Sequence, residues 1–110
     1  MSLSNVSADV LLEQAETASE EYAESQRTYE QKKIQTEGWE SMRKKALVSA
    51  GSSVAAASIE VKTDPEWQGN YMELIDTQIE FGLKKRKYDL ILEAIGCWRT
   101  EQSTIRALGR

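Results

Sequence analysis

A chain of 110 residues with 14 basic and 18 acidic side chains, net charge −4, has room for one ordinary domain and not for two. It holds no His, one Cys and one Pro, so the usual general base and the commonest metal ligand are missing, and catalytic triads, zinc sites and an internal disulfide are excluded. The composition points to a folded, helix-rich, non-enzymatic protein without a cofactor.

No apolar stretch approaches the roughly 18 to 20 residues that cross a bilayer, and the opening "MSLSNVSADVLLEQAE" lacks a basic start followed by an apolar run. The chain reads as cytosolic, with no membrane partner, and the glycosylation match at Asn5-Val6-Ser7 as accidental. Cys97 reads as a small apolar packer in a reducing compartment. Charge is strongly polarised along the sequence. Residues 1–83 carry 7 basic and 15 acidic side chains, a balance of −8, whereas residues 84–110 carry 7 and 3, a balance of +4. This fits a basic surface aimed at a polyanion, or head-to-tail charge complementarity between copies.

Ser7 with Asp9 predicts the start of a first helix, with a cap and an acid near the positive end of the dipole. Leu11, Ala15, Ala18, Tyr22, Ser25 and Tyr29 then follow at spacings of 4, 3, 4, 3 and 4, a heptad seam. The same register continues through Lys32, Thr36, Trp39, Arg43 and Ala46, turning polar before it partly recovers. The helix is expected from about Ser7 to about Leu47, with Gly38 as a point of weakness. Arg43, Lys44 and Lys45 fall near its end, where cations complement the dipole as well as any external anion.

The stretch "SAGSSVAAASIEVKT" breaks the pattern with Gly51 and four serines. Ser52 or Ser53 can cap a short helix through Val54, Ala57 and Val61, although "SIEVKT" also alternates like a strand; the helix is favoured. At "TDPEW", Thr63 or Asp64 can cap, Pro65 suits a first turn, and Glu66 completes a capping-box spacing from Thr63.

A final helix is predicted from Pro65 nearly to Leu108. It bears two apolar stripes: Met72, Ile75, Ile79, Leu83, Leu90, Ala94 and Ile105 on one, Leu74, Phe81, Tyr88, Leu92 and Ile95 on the other. One antiparallel neighbour covers only one stripe well. The expected fold is therefore an all-α, long antiparallel helical hairpin with a short middle helix, assembling into an oligomeric bundle or ring. Gly82 and Gly96, two heptads apart, either admit a close helix neighbour or are neutral.

Lys84, Lys85, Arg86 and Lys87 span more than one helical turn, so at least one cation must point along an apolar stripe. An unpaired buried ammonium is expensive, which places this turn at a surface, groove or subunit boundary. Tyr88 follows directly, and Arg99 and Arg106 extend the positive character. Cations beside an aromatic ring suit single-stranded nucleic acid. Trp39, Trp67 and Trp98 read mainly as packing anchors, and the carboxylates of the first helix, Glu13, Glu16, Glu20, Glu21 and Glu24, as a solvated face.

From "EVKT" (Glu60 to Thr63) to "LEAIGCWRTEQSTIRA" (Leu92 to Ala107) the chain resembles the closing segment of UvsY-type recombination mediators of tailed phages, which share a Glu-x-Lys-Thr start and a Leu-acid-Ala-Ile block at similar separation. "DPEWQGNYMELIDTQ" and "CWRTEQSTIRA" are similar to small helical proteins of phage recombination modules. The resemblance covers residues 60–107 and, faintly, 22–47. It implies a viral, oligomeric protein in the host cytoplasm that binds single-stranded DNA and helps a recombinase displace a single-strand-binding protein. It also carries the family's basic stretch onto Arg43, Lys44 and Lys45. The expected DNA-binding set is thus Arg43, Lys44, Lys45, Lys84, Lys85, Arg86, Lys87, Arg99 and Arg106. The alternative is a structural or adaptor coiled coil that docks onto itself or onto a phage or host protein.

Overall fold

The computed structural model describes residues 8–109, and they form three helices: α1 (Ala8–Ser49), α2 (Val54–Thr63) and α3 (Pro65–Leu108). The architecture is all-α, with the expected short middle helix. The Ser7 cap and the Asn5-Val6-Ser7 match lie outside the described residues.

Each helix end has a local cause. After Ser49 the chain turns through Gly51, whose φ of 108° is disfavoured for residues with a side chain. The Ser52 N–H donates to the Leu47 carbonyl and the Gly51 N–H to that of Val48, both at 3.1 Å, so carbonyls orphaned at the end of α1 are satisfied in a Schellman arrangement. Ser53 caps α2 by accepting from the Ala56 N–H at 3.1 Å. Asp64 caps α3, its Oδ1 accepting from the Glu66 N–H at 2.9 Å. The capping box from Thr63 does not form, because Thr63 is the last residue of α2 and its hydroxyl donates back to the Glu60 carbonyl.

The chain divides into two compact units, to both of which α1 and α3 contribute. The first combines the chain up to Ser25 with the chain from Phe81 onward; the second is Gln26–Glu80. In each, an α1 segment packs against an α3 segment of opposite direction.

In the first unit the predicted α1 seam is the packed one: Leu11, Ala18 and Ser25 are buried, and Ala15 and Tyr22 half-buried. Tyr22 meets Phe81 and Tyr88 edge-to-face, with ring centroids 5.4 Å and 6.0 Å apart. These geometries suit the ring quadrupoles. Tyr88 is therefore part of the seam rather than a platform for stacking bases. Cys97 is exposed, not a packer, and within the chain the space beside Gly82 and Gly96 is open.

In the second unit the predicted register runs through Tyr29, Lys32, Thr36 and Trp39; beyond it Arg43 and Ala46 are exposed and the half-buried positions shift by one, to Glu40, Lys44 and Leu47. Helix α2 turns Ala57 and Val61 inward. Trp67 stacks on Tyr71 at 5.0 Å with 7° between the rings. Gly38 leaves α1 unbroken.

Along α3 the covered side is Trp67, Asn70, Leu74, Thr77, Phe81, Lys84, Tyr88, Ile91, Ile95, Trp98 and Gln102, alternating by three and four. It absorbs Leu74, Phe81, Tyr88 and Ile95 of the second predicted stripe and leaves Leu92 outside. Most of the first stripe, Met72, Ile79, Leu83, Leu90 and Ile105, is exposed.

Val61 is the largest fully buried side chain among the described residues, at 1% exposure. Val61→Ala is expected to destabilise by about 2 kcal/mol through lost burial and the cavity left behind, whereas Ile59→Ala, on the exposed side of the same helix, should shift stability by less than about 0.5 kcal/mol. Urea denaturation followed by circular dichroism checks both.

Candidate functional site

The two seams assign each side chain a heptad position. Taking Leu11, Ala18 and Ser25 of α1 and Lys84, Ile91 and Trp98 of α3 as d positions, Ala15 and Tyr22 together with Phe81, Tyr88 and Ile95 are a positions. Lys84 is thus the cation that falls in the seam, as a four-residue run of charge requires. It is half-buried, and its ammonium reaches the Glu21 carboxylate at 3.2 Å. Lys87, at the adjacent g position, reaches the same Glu21 oxygen at 3.4 Å. Flanking g positions face one another across an antiparallel pair, which is why Glu21 and Lys87 meet.

Two cations on one carboxylate favour its charged form. Hydrogen bonding and charge attraction from Lys84, and then from Lys87, hold the Glu21 pKa below the usual 4.5. Neither composition nor hydrophobicity singles Glu21 out from the acids around it. Its signal is its place immediately before the seam residue Tyr22, legible once the α3 register is known.

The remaining cations of the first unit lie outside this cluster. Lys85, Arg99 and Arg106 share the e position of α3, separated by 14 and 7 residues, and all are exposed without an ion-pair partner among the described residues. The e positions of α1 described in this unit, Leu12 and Ser19, bear no charge. Arg86 is exposed on the other side of α3. There Arg86 and Lys87 border an apolar groove of about 720 Å³ with Leu83, Leu90, Ile91 and Ala94 of α3 and Glu13, Gln14 and Thr17 of α1.

Arg43, Lys44 and Lys45 belong to the second unit, so the two basic clusters are not part of one compact unit. Arg43 Nε lies 3.5 Å from Asp64 Oδ2, and Lys44 lies 3.3 Å from Glu40 one turn earlier. Lys45 is exposed without an ion-pair partner among the described residues. Because α1 continues to Ser49, none of the three stands in its last turn. The expected role at the helix dipole falls away.

Among the described residues no group of three His, Cys, Asp or Glu side chains is placed to hold a metal ion, and no helix is long and apolar enough to cross a membrane. No family model, curated protein or solved structure matches the chain.

Glu21 also sets a pH dependence. A carboxylate whose folded pKa is depressed stabilises the fold fully above its unfolded value and loses that contribution as pH falls through the folded one. The stability difference between wild type and Glu21→Gln is therefore expected to be largest near neutral pH and to shrink from about pH 5 to about pH 3. Thermal denaturation of both proteins across that range checks it; a difference that grows on acidification would contradict the assignment.

Proposed function

We propose that this chain is a non-enzymatic, oligomeric protein that binds single-stranded DNA and supports phage-type recombination or replication, as its resemblance to UvsY-type mediators implies. The observation that carries the reading is the α3 stripe of Lys85, Arg99 and Arg106. These three exposed cations share one edge of α3, about 21 Å and about 10 Å apart along the axis, and the e positions of α1 described in this unit, Leu12 and Ser19, carry no acid. A flexible single strand can bring its phosphates to such a row. Three phosphate contacts per subunit are weak, and repetition in an oligomer makes them effective through local concentration. A recombinase or a single-strand-binding protein would be the further partner.

A second reading, a structural or adaptor coiled coil, is favoured by one specific observation. Glu21 already holds Lys84 and Lys87, which withdraws two of the four clustered cations from any polyanion.

Gel shifts with a labelled single-stranded oligonucleotide over a salt series separate the two. With three phosphates neutralised per subunit, the logarithm of affinity should fall against the logarithm of salt with a slope of about −2 for each subunit engaged. The triple variant Lys85→Glu, Arg99→Glu, Arg106→Glu should stay helical and lose binding. Absence of any shift for wild type at low salt would select the adaptor reading.

A further inference from the structure

We infer that the groove of the first unit is a subunit interface, filled by α3 of a second copy running antiparallel to the first and centred on Leu90. The inference rests on the oligomeric part of the reading above and not on DNA binding.

The groove carries an apolar row along α3: Leu83 and Leu90 line it at the c position, with Ala94 at g beside them. Cys97, one heptad on at c, continues the row beyond the groove; all three c residues are exposed, Leu83 and Leu90 by 59% and 53%. A helix that fits must present an apolar row of the same period and an acid to meet Arg86 on the rim. The outward face of α1 is acidic at Glu13, Glu16, Glu20 and Glu24 but has no such row. Helix α3 has both. Its own row is the match, and Glu93, exposed and without an ion-pair partner among the described residues, stands seven positions after Arg86.

Charge complementarity fixes direction and register. With two antiparallel copies of α3 crossing at Leu90, Leu83 of each faces Cys97 of the other, and Arg86 of each lies beside Glu93 of the other. Shifting the crossing to the midpoint between Leu83 and Leu90 would set Arg86 and Lys87 each against its own counterpart in the second copy, two like-charge contacts. A parallel pair would place each Arg86 against its own counterpart. The Leu90-centred antiparallel crossing is self-complementary, as a two-fold interface requires.

The test uses the full chain. Light scattering at micromolar to submillimolar concentrations should give a dimer or a multiple of one, and Leu90→Asp should weaken association by at least about tenfold while circular dichroism stays helical. Arg86→Glu should weaken it too, and adding Glu93→Arg should restore it, because the pair is exchanged intact. Mild oxidation reads the geometry directly. Leu90→Cys in a Cys97→Ser background should cross-link to its own counterpart, whereas wild-type Cys97 should not, the two thiols being displaced by about 21 Å along the axis. A monomer at all concentrations, an oligomer indifferent to Leu90→Asp, Cys97 cross-linking in wild type, or association seen only with added oligonucleotide would each overturn the interface. DNA binding by a monomer would overturn it while leaving the stripe of Lys85, Arg99 and Arg106 in place.

Discussion

A lysine in the packed seam between two helices requires a counter-charge that can reach it without leaving water, and this chain meets that requirement twice with one device. In the first unit Lys84, at d of α3, is met by Glu21 at g of α1. In the second, Lys32, at d of α1, is met by Glu73 at g of α3. In each case the carboxylate stands at the edge of the seam, where it stays partly solvated, and the long lysine stem covers apolar surface on its way out. Such pairs add little to stability when solvent screens them. They do discriminate between registers, since a slip of one heptad would leave an ammonium in the seam without its acid.

The rest of the seam is consistent with a fold specified more by register than by bulk. Its buried polar members satisfy themselves within their own helix: the Ser25 hydroxyl donates to the Tyr22 carbonyl and the Thr36 hydroxyl to that of Lys32, both at 2.8 Å. Neither asks anything of the opposite helix. Ala18 and Ser25 keep the α1 side of the first unit shallow, so the larger volume comes from Tyr22, Phe81 and Tyr88. The buried apolar residues of the described chain are four, Leu11, Ala18, Ala57 and Val61, and two are alanines. So small an apolar core supplies limited hydrophobic stabilisation, and Leu83 and Leu90 of α3 remain as exposed apolar surface on the first unit.

How far this was legible in the sequence differs between the two long helices. The α1 seam can be read directly, because from Leu11 to Tyr29 its members are apolar or small and no other stripe competes. On α3 the packed side contains Asn70, Thr77, Lys84 and Gln102, while Met72, Ile79, Leu83 and Leu90 form a more hydrophobic row outside it. Hydropathy alone therefore ranks the wrong side first, and only the aromatic residues at Phe81 and Tyr88 hint otherwise. The start of α3 shows a similar limit: Thr63 and Asp64 are both competent caps, and the choice falls to Asp64 because α2 extends through Thr63. Counting cations identified the dense turn at Lys84 to Lys87 but could not show that one acid 63 residues upstream engages two of them.

Once the register is known, charge on the first unit sorts itself by edge. On the g edge Glu21 faces Lys87 and their charges are spent on each other. On the e edge α3 carries Lys85, Arg99 and Arg106, and the described e positions of α1, Leu12 and Ser19, offer no counter-ion. The apolar row lies away from that edge, at c and g, on the side of Arg86 and Lys87. A net charge of −4 does not oppose binding of a polyanion at such an edge, because at physiological salt the field of acids more than about 8 Å away is largely screened. What matters is the composition of the edge itself. Separating the cationic edge from the apolar row also lets copies associate through one without covering the other, so assembly and polyanion binding need not compete for the same residues.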